Sequence, residues 1–400
     1  MSTPTDPPAE RERLLGRLLG QLDGELPEAI ELRHRLHRSP ELAHAEHATL
    51  AMVAERLPVA CRTVAGTGGA ALIGNGAGAP VAVRAELDGL PLRELTGSEF
   101  SSEGEVMHAC GHDVHMAALA ALARAAHTLA EELPAPLLAL LQPSEEAYPS
   151  GAQQLAEGEL AEIAPVAVVG AHVHPELAWG TVGLDAGVVN ASCDAAEITI
   201  QGSPTHGAYP HHGRDPILAL AEVLVSLHAQ VGRRIDPLGS AVLTVGTIEG
   251  GSAENVIPPS ARARAALRAH SPEHREILRE LVREVSDGVA AAHGCTATVE
   301  ITPGEPQLEN DSAIVAGARE LIAAAGLSCA DAWRSCGSDD FAFFGALAPV
   351  AMAFVGLDGA EGFQMWPLHH PQLLVPDAAV GAVARVQAVL YLAAAFASRS

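Results

Sequence analysis

Between about residues 25 and 185, short uninterrupted apolar runs alternate with stretches in which Ala and Leu recur at helical spacing. Residues 80–87, 136–141 and 164–171 have the length and texture of buried strands, and 114–133 and 152–160 read as helices. Strands separated by helices predict a mostly parallel sheet with helices on both faces, because parallel neighbours need a crossover and the crossover covers the sheet. From about 190 to 302 the order becomes β-α-β-β-α-β. Strand 193–200 alternates as half-buried, helix 215–231 has Pro216 in its first turn, strands 240–248 and 261–269 follow, and helix 274–293 leads to strand 296–301. That order suits a ferredoxin-like unit. After Pro303 the first texture returns, with helix 311–325, strand 349–355 and helix 377–396. The expected architecture is therefore an α/β domain in two chain segments, 1–188 and 303–400, interrupted by a smaller α+β ferredoxin-like domain at 189–302.

Charge narrows the partners. The chain has 24 basic side chains, all arginine, against 49 carboxylates, for a formal charge of −25. Nucleic acid and anionic membrane surfaces both call for a basic face, so neither is expected as a partner. Residues 1–12 are Pro-rich and acidic, without the basic and apolar regions of a secretory signal. No run of about 18 uninterrupted apolar residues occurs, and no membrane span is expected. Six cysteines are scattered without CxxC spacing, which fits neither a disulfide framework nor a zinc ribbon, so a reducing cytoplasm is the expected compartment.

The expected strands run into polar residues able to bind metal. Strand 80–87 leads to Asp88, 136–141 to Gln142-Pro143-Ser144-Glu145-Glu146, and 164–171 to His172-Val173-His174. Strand 349–355 is followed, after a loop, by Leu368-His369-His370-Pro371. A fifth cluster, His108-Ala109-Cys110-Gly111-His112-Asp113-Val114-His115, stands just before the helix from Val114. In open α/β sheets ligands bind outside the carboxyl ends of the strands, so these clusters are expected to converge at one edge. A thiolate with imidazoles and a carboxylate suits borderline divalent ions such as zinc, and also manganese, cobalt or nickel. Cys110 near a helix N-terminus favours the thiolate. Of the adjacent Glu145 and Glu146, one carboxylate can coordinate while its neighbour handles the protons of a nearby water.

Other signals carry less. His34, His37, His44 and His47, at near-helical spacing, read as structural or exposed; His115 and His174 read as supporting or packing groups rather than ligands. His127, His228, His270, His274 and His293 lack partners in the pattern, and His369 is preferred to His370. Gly66-Thr67-Gly68-Gly69-Ala70-Ala71 formally matches a dinucleotide fingerprint. The adjoining Leu72-Ile73-Gly74-Asn75-Gly76 reads as strand and turn, leaving no helix N-terminus to cradle a pyrophosphate.

Taken in order, these clusters resemble the amidohydrolase branch of the dinuclear-metal aminoacylase and carboxypeptidase family, which includes hippurate hydrolases, N-acyl-amino-acid amidohydrolases and auxin-conjugate hydrolases. The likeness runs from Leu36-His37-Arg38-Ser39-Pro40-Glu41-Leu42 to Leu368-His369-His370-Pro371. Its most specific pieces are Met107-His108-Ala109-Cys110-Gly111-His112-Asp113, Gln142-Pro143-Ser144-Glu145-Glu146 and Asn255-Val256-Ile257-Pro258. The resemblance implies two divalent metal ions held by Cys110, His112, Glu146, His172 and His369, with Cys110 where relatives outside the branch place a bridging Asp. It implies Glu145 as general base and acid, and Asp88 as a residue orienting a ligand. In the insert, Gly202-Ser203-Pro204-Thr205-His206-Gly207-Ala208 is similar to a Gly-Gly-His-Ala-Ala segment, which implies that His206 stabilises an oxyanion. Asn255 and Arg268 resemble residues gripping the acyl oxygen and the substrate carboxylate, the latter a task suited to a planar guanidinium. Gly337-Ser338-Asp339-Asp340-Phe341 resembles a loop beside the site.

The expected activity is hydrolysis of the amide of a small N-acyl amino acid, with the insert acting as a lid and joining a homodimer or higher homo-oligomer. A dipeptidase or N-carbamoyl amino acid hydrolase on the same metal centre is the nearest alternative. A non-catalytic protein retaining the metal and a dinucleotide oxidoreductase are the rivals from other classes. Glu86 replaces a usual Asp, Ser144 a usual Ala, His174 a usual Trp and Asp339 a usual Glu, which leaves the acyl and amino-acid preference open.

Overall fold

The all-apolar runs form the middle of an eight-stranded sheet in the computed structural model, which describes residues 7–74, 78–236 and 238–399. Residues 1–6 of the acidic N-terminal stretch, with Asn75 and Gly76 of the expected turn, lie outside the described residues. Strand order is Arg62–Val64, Gly68–Ile73, Leu137–Gln142, Val81–Glu86, Ala167–Ala178, Val350–Asp358, Thr181–Gly183 and Ser328–Cys329. The four middle strands, from Leu137–Gln142 to Val350–Asp358, are mutually parallel, and the next strand on either side, Gly68–Ile73 or Thr181–Gly183, runs antiparallel to them. Every residue of Val81–Glu86 and Leu137–Gln142 is buried, as strands covered on both faces must be. The fold is thus the α/β architecture expected, with a mostly parallel sheet.

Helices His112–Thr128 and Ala378–Ala397 are buried almost all round. Ala378–Ala397 is long and apolar enough to cross a bilayer, but 89% of its most apolar window lies inside the protein, so it serves as a core helix. The longest helix, Pro7–Arg38, is not among the expected elements. Its Pro-rich start hides it in the pattern, yet Leu15, Leu18, Leu22, Leu32 and Leu36 form a fully buried stripe at helical spacing. The strand expected at 164–171 runs instead from Ala167 to Ala178, so His172 and His174 lie within it. The neighbouring strand causes the extension: Phe354 pairs with His172 and Gly356 with His174, continuing the ladder. The helix expected at 152–160 is split at Gly158 into Gly151–Glu157 and Glu159–Ile163.

By contacts the chain divides into two compact units. Residues 7–187, 309–333 and 343–399 form the first, and 188–308 with 334–342 form the second. The second unit is a four-stranded antiparallel sheet ordered Ala241–Gly250, Ser260–Ala269, Ser192–Gln201, Thr296–Pro303, the ferredoxin-like order. Helices Pro216–Arg234 and Pro272–Ala292 pack Leu220, Val223, Leu278 and Leu281 against Ile198, Ile200 and Leu267 of the sheet. Asp215 and Ser271 cap these helices through their side chains, each followed by a proline in the first turn.

A buried carboxylate pins the second helix to the sheet. Asp194 accepts from Arg275 Nε (3.0 Å), Arg279 Nε (2.7 Å) and the Gly304 N–H (3.1 Å). Burial works against its charge, but the two guanidiniums and the Gly304 amide outweigh burial and hold the carboxyl at about 2. Because this folded-state value lies below the unfolded one, the stabilisation is present above about pH 4 and is lost as pH falls toward 2. Asp194→Ala, which leaves two part-buried guanidiniums without their carboxylate, is expected to destabilise the second unit by about 3 kcal/mol at neutral pH. Hydrogen exchange of the amides in Ser192–Gln201 measures the effect, and unchanged protection there contradicts it.

Candidate metal centre

Local backbone geometry brings the chemistry together in the first unit. Strands Val81–Glu86 and Leu137–Gln142 end level, with Glu86 opposite Gln142, and the chain passes on to Asp88 in one case and to Glu145 and Glu146 in the other. On the other flank Arg84 pairs with Gly170, which sets His172 level with Glu86 although its own strand continues. Cys110 and His112 stand either side of Gly111, the N-cap of helix His112–Thr128. Gly111 has φ +87°, and a Cβ there would sit 2.6 Å from Val173 Cγ2, so a glycine is required. His369 is left-handed too (φ +65°), and its N–H donates to the Ala109 carbonyl (2.8 Å), tying it to the segment that carries Cys110.

The ligand atoms of Cys110, His112 and His172 lie within 4.8 Å of one another, as do those of Cys110, Glu146 and His369. Cys110 is common to both groups. Its Sγ is 3.4 Å from His172 Nε2, and His369 Nε2 is 3.2 Å from Glu146 Oε1. His112 Nε2 lies 3.9 Å from Glu145 Oε2 and 4.0 Å from Glu146 Oε1, too far for hydrogen bonds.

The donor set fits divalent metal. His112 Nδ1 donates to the Asp88 carbonyl (2.8 Å) and His172 Nδ1 to the Val173 carbonyl (2.7 Å), which turns both Nε2 atoms toward the cluster. Among the described residues, His112 Nε2 is buried without a hydrogen-bond partner, and Glu146 Oε1 is buried with the His369 ring nitrogen beside it but outside hydrogen-bond geometry; a bound cation relieves this costly state. Burial disfavours a charged His112, but Glu86, Asp88 and Glu146 override it and raise the imidazole to about 10: the carboxylates demand positive charge at this point. Burial, reinforced by His115, pushes His172 well below the ordinary value and keeps it in the neutral form a ligand needs. The Asp88 carboxylate accepts the Glu146 N–H (2.8 Å), so one side chain braces the glutamate loop while its carbonyl orients His112.

A third trio, Glu86, His115 and His172, also clusters but is not a metal cage. His115 donates through Nδ1 to Glu86 (2.9 Å) and accepts the Val173 N–H on Nε2 (3.1 Å), which commits both ring nitrogens. Burial opposes charge on Glu86, but Arg84 and His115 hold it well below the usual carboxylate range. Sequence reasoning noted Glu86 only as a departure and missed this brace, since no local spacing links Glu86 to His115. It also missed the depth of the network behind the ligand helix. Asp113 accepts from Arg33 Nε (2.9 Å) and from His37 Nδ1 (3.0 Å), and His37 Nε2 reaches Glu94 (3.1 Å). Against the cost of burial, Asp113 and Glu94 raise His37 to about 9. His370 stacks on Trp366 at 4.2 Å, apart from the ligand groups, whereas its neighbour His369 joins them.

The remaining candidates belong to the second unit. His206 sits on the short strand Thr205–His206, paired with Val256–Ile257, and the Asn255 carbonyl accepts the Gly207 N–H (2.7 Å), so His206 and Asn255 are neighbours. The Ala208 N–H donates to His206 Nδ1 (3.0 Å), which puts the ring proton on Nε2. Arg268, on a different strand, donates to the Cys336 carbonyl (3.0 Å) and to Ser338 Oγ (3.4 Å). The glycine-rich segment at 66–71 enters strand Gly68–Ile73 instead of a helix, as a nucleotide site would require.

Comparisons with known proteins place the chain in a family. The profile of peptidase family M20/M25/M40 matches residues 82–391. An N-acetyl-L-cysteine deacetylase of Bacillus subtilis (strain 168) is 35% identical, over 88% of this chain and 84% of that protein. An N-acetyldiaminopimelate deacetylase of Bacillus licheniformis is 32% identical, over 92% of this chain and 98% of the other. The crystal structure of a Bacillus subtilis protein described as a dinuclear metal-binding peptidase superposes with a TM-score of 0.81 at 29% identity, covering 92% of this chain and 98% of that one.

Proposed function

The chain belongs to peptidase family M20/M25/M40 and is a hydrolase that takes divalent metal ions, and from that premise we propose that it cleaves the amide bond of small N-acyl amino acids, releasing a carboxylic acid and an amino acid. The observation that carries the reading is the convergence of Cys110, His112, Glu146, His172 and His369, with Glu145 beside them. In this reading those five side chains would hold two ions, zinc, manganese, cobalt or nickel, Cys110 being the residue common to both ligand groups. A bound divalent pair supplies Lewis acidity, polarising an acyl carbonyl and making water acidic enough to ionise near neutral pH.

The protein's own groups do the rest. Glu145 takes the proton from the attacking water and returns it to the leaving amine. His206 offers its Nε2–H to the developing oxyanion, a contribution that in other hydrolases is worth about 3 kcal/mol per donor. Asn255 holds the acyl oxygen and Arg268 the substrate carboxylate. Asp88 keeps His112 and the glutamate loop in place, and the second unit acts as a lid that excludes water. A cytoplasmic homodimer joined through the second unit completes the reading. None of the six cysteines forms a disulfide, and that unit exposes Ile217, Leu218, Val225 and Ile248.

A substrate panel tests the function. N-acetyl, N-benzoyl and longer-chain acyl amino acids are to be compared with a free-amino dipeptide and a ureido acid, alongside metal analysis. Turnover of acyl substrates at least about tenfold above the other two classes is expected. A preference for the dipeptide or the ureido acid overturns the assignment in favour of a dipeptidase or a carbamoylase.

A further inference from the structure

We propose that His44 is a positioning residue for Glu145, clasping the loop that carries both glutamates from its two sides; the inference rests on reading Glu145 as the base. The His44 imidazole meets Ser144 Oγ through Nδ1 (2.9 Å) and the Tyr148 carbonyl through Nε2 (3.3 Å). Ser144 immediately precedes Glu145, and Tyr148 follows Glu146 by two residues, so one ring braces the loop before and after its functional pair.

The Tyr148 carbonyl can only accept, so Nε2 carries hydrogen. Ser144 Oγ lies 2.9 Å from His44 Nδ1 and 3.2 Å from the carboxylate oxygen Glu46 Oε1, so one hydroxyl links the ring to the buried acid. The same hydroxyl oxygen accepts the backbone N–H of His44 (2.9 Å), closing a reciprocal pair between the two residues. The other groups of Ser144 are engaged as well. Its N–H donates to Glu46 Oε1 (2.7 Å), and its carbonyl accepts the Gly151 N–H (3.0 Å). Glu46 is itself fully buried and held by the Thr67 hydroxyl (2.5 Å).

The backbone supplies a second, independent observation. His44 (φ +66°) and Ser144 (φ +51°) are both left-handed without being glycine. Such conformations are strained for residues other than glycine and persist where surrounding bonds over-determine them, as they do around functional groups. An alanine at 144, the residue the family resemblance leads one to expect, could make none of the hydroxyl's bonds to His44 or Glu46. The clasp is therefore a device of this chain, built from an exposed histidine and a buried serine.

The test is the kinetics of His44→Ala, His44→Asn, Ser144→Ala and the Ala/Ala double variant on one N-acetyl amino acid, with metal content determined for each. His44→Ala is expected to lower kcat about tenfold, short of the hundredfold that a displacement of about 1 Å can cost, with KM within about twofold and metal content unchanged. His44→Asn, which tolerates positive φ and can still bond Ser144, is expected to recover most of the loss. The double variant is expected to be no slower than the worse single one, because both changes break the same link. Unchanged kcat in both single variants, or a loss matched by lost metal and not recovered by Asn, overturns the clasp. Glu145→Gln run in parallel separates the two inferences: if it retains turnover, the base assignment fails whatever His44 does, and if it is inactive while His44→Ala is normal, only the clasp fails.

Discussion

Glu145→Gln is expected to reduce kcat by a factor on the order of 10²–10⁴ while leaving the metal content as it was. The amide keeps the size and hydrogen-bonding capacity of the side chain but cannot accept and return a proton, so the loss isolates proton transfer. Glu145 stands 3.9 Å from His112 Nε2, close to the ligand groups, while Glu146 is the carboxylate that joins Cys110 and His369. The two adjacent glutamates should therefore behave differently when changed. Glu146→Gln should lower metal occupancy, and Glu145→Gln should not. Metal analysis of both variants beside their kinetics reads the difference; equal metal loss in the two would show that the roles are misassigned.

Cys110→Ala should cost more than any other single ligand change, because Cys110 belongs to both ligand groups. Removing the shared thiolate takes a donor from each position at once. Occupancy of both ions should fall, with turnover lost by at least about a hundredfold. His369→Ala, by contrast, touches only the group formed with Cys110 and Glu146, so one ion's worth of metal should remain. Titrating each variant with zinc or manganese under calorimetry distinguishes these cases. If Cys110→Ala keeps its metal and its activity, the ligand set is wrong.

Parts of the site were legible along the chain because folding kept neighbours together. Cys110 and His112 flank one glycine at a helix start, and Glu145 and Glu146 follow directly from a strand end, so linear clusters became spatial ones. His369 was preferred to His370 in the sequence without a physical ground for the choice. The physical distinction, with one ring beside Glu146 and the other flat against Trp366, needs the fold. Glu86 was visible only as a substitution of one acid for another; its bond to Arg84 joins i, i+2 neighbours on one strand face, whereas its bond to His115 joins residues with no periodic relation. His44 read as structural or exposed, and its bonds to a loop 100 residues away could not be read from any local pattern.

Periodicity and strand-end chemistry by themselves determined the α/β plan, the ferredoxin-like interruption and the type of reactive groups, because hydrophobic spacing and residue identity are local properties. Only the tertiary structure decided that strand Ala167–Ala178 carries on past His172, that His115 is a brace with both nitrogens committed, and that two left-handed residues lock together around the glutamate loop. These depend on pairing partners distant in the chain. A hydrogen bond between such partners leaves no trace in the spacing of either one.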